Sequence, residues 1–173
     1  MKKLVTILSL ILVTASTAFG QTKSYIGLGA SYSQEAKNTY NVEVGCQTAK
    51  TWYSLIADIT NKTTGTYQID GKSRLVPKLM LGAKLQHSVC TLSPKSSMFG
   101  FVSVKGGRYE YVDMMIFTKK ENFLQVEPGL STSFNVDKHV GLQAMLSTYF
   151  NNQFKLTGSQ WPLRVGVLLT YNN

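Results

Sequence analysis

From Ser24 to the C-terminus the chain alternates apolar residues with small or polar ones, and it does so with a period of two. That is the period of a β-strand, whose successive side chains point to opposite faces, and it leaves little room for helix. Eight such segments are read, at 24–34, 38–47, 51–60, 75–86, 97–105, 120–134, 138–150 and 161–171. Each can cross a bilayer as a tilted strand of ~9–11 residues.

The faces separate cleanly in seven of the eight. Ile26, Leu28, Ala30 and Tyr32 oppose Gly27, Gly29, Ser31 and Ser33, and Tyr40, Val42 and Val44 oppose Asn41, Glu43 and Gly45. Tyr53, Leu55, Ala57 and Ile59 oppose Trp52, Ser54, Ile56 and Asp58, while Leu79, Leu81, Ala83 and Leu85 oppose Lys78, Met80, Gly82 and Lys84. The last three segments repeat this, with Glu127, Gln143 and Arg164 on the small-residue side. In the fifth, Phe99 and Phe101 compete with Met98, Val102 and Val104, and the face is left open. Links are short at 47–51 and 134–138 and long at 60–75, 105–120 and 150–161, although the link at 86–97 is long on the side where short ones are expected. Aromatic residues gather at segment ends, Tyr25, Tyr53, Phe134 and Tyr171 at one level and Tyr32, Tyr40, Phe150 and Trp161 at the other, as the girdles at two membrane interfaces do.

Charged residues make up 16% of the chain where about a quarter is usual, which fits a surface that does not all face water. Lys2 and Lys3, the apolar run from Leu4 to Val13 and the small residues from Thr14 to Gly20 read as a secretory signal, with cleavage expected before Gln21. No cysteine follows that run to accept a lipid, and residues 21–173 form one expected domain. Loss of the two signal lysines lowers the formal charge from +9 to +7.

The chain resembles the small eight-stranded outer-membrane barrels, the group of OmpX/Ail-like proteins and the OmpA transmembrane domain. The stretches that carry the resemblance are Val126-Glu127-Pro128-Gly129-Leu130-Ser131, the turn Phe134 to His139 leading into Val140-Gly141-Leu142, and the closing segment Leu163 to Tyr171. It implies an antiparallel up-and-down transmembrane barrel in the outer membrane of a Gram-negative bacterium, with tight periplasmic turns and longer external loops. Cys46 and Cys90 then both map to the periplasmic side, where a bridge and two free thiols both stay open.

Candidate chemistry follows from which charges share the small-residue face. If that face points inward, Glu43, Asp58 and Glu127 meet Lys78, Lys84 and Arg164 in the lumen, three charges of each sign, and an ionic network plugs the barrel. Lys62, Lys72, Arg74, Lys105, Arg108, Lys119 and Lys120 are read as a basic rim of external loops, suited to lipopolysaccharide, anionic glycans or an acidic host surface. The Asn61-Lys62-Thr63 sequon carries no meaning in a bacterium. His139 lies in a turn, and His87 and Ser88 are adjacent on an extended chain and point apart, so no nucleophile–base pair is assembled. No phosphate loop or metal spacing occurs, no cofactor is expected, and no nucleic-acid motif is present. The expected protein is a monomeric, non-enzymatic barrel acting in envelope integrity or adhesion. Its rivals are a soluble lipocalin-type barrel with the apolar face inward and a barrel-type lipid-modifying enzyme.

Overall fold

The computed structural model describes residues 23–33, 37–48, 50–60, 67–69, 72–74, 77–112, 118–151 and 162–172. The expected signal segment, the sequon with Lys62, and Trp161 lie outside them. Eight long strands form one antiparallel sheet: β1 Lys23–Ser33, β2 Lys37–Gln47, β3 Thr51–Thr60, β4 Leu79–Ser93, β5 Ser96–Val112, β6 Thr118–Asn135, β7 Val140–Thr148 and β8 Leu163–Asn172. Each pairs with its neighbours in sequence, and β8 pairs back on β1, so the sheet closes into an up-and-down barrel. Closure satisfies every strand edge that a flat sheet would leave open. Tyr67–Ile69 and Lys72–Arg74 pair as a separate two-stranded sheet, and the short segment Phe150–Asn151 adds a pairing on β6.

The register fixes the shape. A line of paired residues runs Lys23, Gln47, Trp52, Gln86, Phe101, Gly129, Ser147, Arg164 and returns to β1 at Ser33, ten residues beyond its start. Ten residues are about 33 Å along a strand, and eight strands about 38 Å across, which gives a tilt of about 40°. A barrel of this size is just wide enough for its interior to be filled by side chains.

Several segment boundaries differ from the sequence reading, and β5 runs on to Val112 past its expected end at 105. The long link at 86–97 is not a loop: β4 and β5 run on through it to a tight turn at Pro94-Lys95, with register shifts between Ser88 and Cys90 and between Thr91 and Ser93. At the opposite end β4 begins later than expected, at Leu79, after Pro77, which lacks the N–H that a ladder needs. One end of the barrel thus carries Lys23, Asn172 and the three tight turns and is the turn end; the other is the loop end.

The faces point apolar outward and polar inward. Ile26, Leu28, Leu81, Leu85, Leu130, Leu146, Val165, Val167 and Leu169 are exposed, while Ser31, Glu43, Ser54, Asp58, Lys84, Gln125, Glu127, Gln143 and Arg164 are buried. A soluble barrel that carries a greasy ligand requires the reverse arrangement. The open fifth segment is resolved as well: Phe99, Phe101, Ser103 and Lys105 face in, and Val102 and Val104 face out.

Candidate functional site

The barrel axis is occupied by three layers. At the turn end Tyr25, Trp52 and Phe99 pack ring against ring, with centroids 4.9 and 5.4 Å apart, and Leu168 on β8 is fully buried. Tyr25 therefore does not belong to the outer girdle expected from its position at a strand end. It shares parity with Gly27 and points inward, whereas Tyr53, Phe134 and Tyr171 stay outside. At the loop end Met80 packs on Phe123, with Pro77 and Tyr149 buried.

Between these apolar caps lies the charged layer. Glu43 accepts from Lys84 Nζ at 2.6 Å, from Ser54 Oγ at 2.7 Å and from the Tyr25 hydroxyl. Farther toward the loop end two carboxylates and two cations form a closed ring. Lys105 Nζ is 2.7 Å from Asp58 Oδ2 and 2.5 Å from Glu127 Oε2, and Arg164 Nη1 is 2.9 and 3.0 Å from the same two oxygens. The remaining lone pairs are also met: Asn41 Nδ2 donates to Asp58 Oδ1, Ser147 Oγ donates to Glu127 Oε1, and Arg164 Nε donates to Ser31 Oγ. Lys84 also lies 5.4 Å from the centre of the Phe101 ring. Buried charges survive only when compensated in this way.

Two sequence assignments are corrected here. Parity with Met80 puts Lys78 in the lumen, yet it is exposed in the bend before β4, its carbonyl accepting from Thr60 N at 3.0 Å. The sequence reading puts Lys105 in the basic loop rim, yet β5 continues through it and it is 4% exposed inside the barrel. The exchange keeps the lumen neutral, with Glu43, Asp58 and Glu127 against Lys84, Lys105 and Arg164. Of the other rim residues, Arg108 is exposed on β5, and Lys72, Arg74, Lys119 and Lys120 lie on strands with side chains outside the described residues.

A cavity of about 30 Å³ lies among Asn41, Asp58, Lys84, Ser103, Lys105 and Arg164. Asn41 Oδ1, Ser103 Oγ and Arg164 Nη2, from residues that border it, are buried without a protein partner. One water needs roughly 10–15 Å³ and two to four polar partners, so the cavity suits internal hydration of the network.

Catalytic geometry is sparse. Among the described residues no three His, Cys, Asp or Glu side chains gather to hold a metal. The hydroxyl that meets an imidazole is Thr51 Oγ1, 2.9 Å from His87 Nδ1 across β3 and β4, a pairing invisible in sequence because the residues are 36 apart. It is exposed, and among the described residues no carboxylate is hydrogen-bonded to the ring. Cys46 and Cys90 are both free, on strands separated by β3.

No family model matches the chain, and no curated protein matches it. Solved structures do. The N-terminal β-barrel domain of Pseudomonas aeruginosa OprF superimposes with a TM-score of 0.64 at 8% identity, over 88% of this chain and all of the other. A major outer membrane protein from Thermus thermophilus gives 0.60 at 10% identity over 88% of this chain and 100% of that one, and Neisserial surface protein A gives 0.55 at 10% over 87% and 94%. Sequence is almost unshared while the backbone path is alike, and the chain has the fold of these small outer-membrane barrel structures, a closed eight-stranded antiparallel sheet.

Proposed function

We propose that the protein is a non-enzymatic, monomeric barrel of a Gram-negative outer membrane, ion-tight along its axis, acting in envelope integrity or surface adhesion through its loop end. The observation that carries this reading is the pairing of an apolar outer wall with a neutral, hydrogen-bonded charge layer capped by apolar side chains at both ends. The wall suits lipid. The packing of the described interior residues supports an ion-tight axis, and their ion pairs close within one chain. Lys78 and Arg108 are exposed at the loop end, where Lys72, Arg74, Lys119 and Lys120 also lie, and cations there suit phosphorylated lipopolysaccharide or anionic glycans as partners.

Two measurements test the proposal. Cell fractionation should recover the protein in detergent-extracted outer membrane, migrating faster unboiled than boiled; recovery as soluble protein without detergent would refute the membrane assignment. Planar-bilayer recording of the purified protein should show no steady conductance, and a large, persistent one would make it a channel.

A further inference from the structure

Four lysines mark the turn end at regular intervals. Lys23 opens β1, Lys50 sits in the turn between β2 and β3, Lys95 in the turn between β4 and β5, and Lys138 in the turn between β6 and β7. All four are exposed, and among the described residues none is in an ion pair. Successive members are separated by two strands of an eight-strand ring, so they stand about a quarter turn apart. The turns contain one carboxylate, Asp137, and its Oδ1 is taken by the backbone N–H groups of His139 and Val140 at 2.6 and 2.7 Å.

A second feature lies beside the charges. Leu92, close to Lys95, is 56% exposed, and Val136, two residues before Lys138, is 65% exposed. Tyr53, Phe134 and Tyr171 are exposed on the outer wall at this same end. An apolar residue beside a lysine below an aromatic belt is the arrangement that lets the apolar group enter the acyl boundary while the ammonium reaches the phosphates.

We propose that the turn end is a four-point seat for anionic phospholipid headgroups of the inner leaflet, which surround the barrel and hold it at a fixed depth. The distribution of the charges selects this occupant. A protein partner docks on one side and needs one patch, whereas cations spread around the whole circumference match an annulus of lipid. The inference rests on the membrane reading above.

The test reconstitutes the folded, full-length mature protein in phosphatidylcholine vesicles containing a minority of phosphatidylglycerol, re-extracts it gently and quantifies the retained lipid. Each lysine at such a surface contributes about fivefold in affinity, so retained phosphatidylglycerol should be enriched several-fold over its bulk fraction. Enrichment should fall with added salt. The combined Lys23→Gln, Lys50→Gln, Lys95→Gln and Lys138→Gln variant should lose most of the enrichment, and the charge-preserving variant with Arg at the same four positions should keep it. An inserted wild-type barrel that retains lipid at the bulk ratio overturns the seat and leaves the membrane reading intact. Failure to insert overturns the membrane reading itself. Binding to isolated peptidoglycan without phosphatidylglycerol enrichment would replace lipid with an acidic wall polymer and also overturns the proposal.

Discussion

Lys105 Nζ stands 2.5 Å from Glu127 Oε2 across the β5–β6 pair, and the same ammonium reaches Asp58 on β3, two strands away on its other side. One cation thus neutralises half of each of two buried carboxylates, and Arg164 supplies the other half.

Removing that cation leaves an uncompensated buried charge. Lys105→Met is expected to destabilise the barrel by about 3–5 kcal/mol, less where internal water screens the loss. Lys78→Met, on the exposed bend, should fall within about 0.5 kcal/mol of wild type. Urea unfolding in lipid vesicles, followed by gel mobility, separates the two; equal effects would contradict the placement of Lys105 inside and Lys78 outside.

Gly82 faces the lumen where β5 passes close by: a Cβ built there would lie 2.0 Å from the Val104 carbonyl oxygen and 2.7 Å from the Lys105 Cα. Both neighbours are backbone and cannot step aside. Gly82→Ala should cost about 1–3 kcal/mol or prevent closure. Gly106→Ala, whose nearest neighbour would be 3.7 Å away, should be tolerated. Refolding yield into detergent reads both, and a well-folded Gly82→Ala barrel would count against the close approach.

Asp137 carries a pH dependence at the turn end. The N–H groups of His139 and Val140 hold its carboxyl below its ordinary 3.8. Because the folded value lies below the unfolded one, the stabilisation is complete at neutral pH and is lost as pH falls below 3.8 toward the folded value. Asp137→Ala should therefore flatten the acid limb of the stability profile and leave its shape above neutrality unchanged. An unaltered acid limb would show that the turn contributes nothing.

For the cysteines, unfolding without reductant should expose two reactive thiols. Tyr53 pairs with both Cys46 and Leu85, and Cys90 lies five residues beyond Leu85 along β4. That offset is roughly 17 Å, well past the roughly 7 Å Cα limit of a disulfide. A titration that finds no thiol in monomeric protein would require a rearranged turn end.

Much of this architecture is legible from parity alone, because lipid outside and polar groups inside impose the strongest two-faced pattern a strand can carry. Parity fails where the interior is itself greasy. Phe99 and Phe101 face inward beside outward Val102 and Val104, so hydropathy there is uniform, and Tyr25 reads as a girdle residue for the same reason. The lysine exchange has a different cause. Gly106 and Gly107 resemble the start of a loop, which ends the fifth segment at Lys105 in the sequence, yet both pair within the ladder. Pro77 delays β4, and Lys78 falls off the lattice to which its parity assigns it. Contacts between residues far apart in sequence, such as Thr51 with His87, depend on register, which no local pattern encodes.

The return of the register to β1 also gives Arg164 a temporal role. It resides on β8, donates to Ser31 on β1 across the final junction, and reaches Glu127 on β6 and Asp58 on β3, which lie on either side of it around the ring. Until β8 joins the sheet, Lys105 is the one cation among the described residues that those two carboxylates contact, so a sheet lacking its last strand holds a surplus negative charge that the finished ring does not. The last strand to arrive carries the charge that completes the balance, and an open barrel is penalised at the very step that would leave it open.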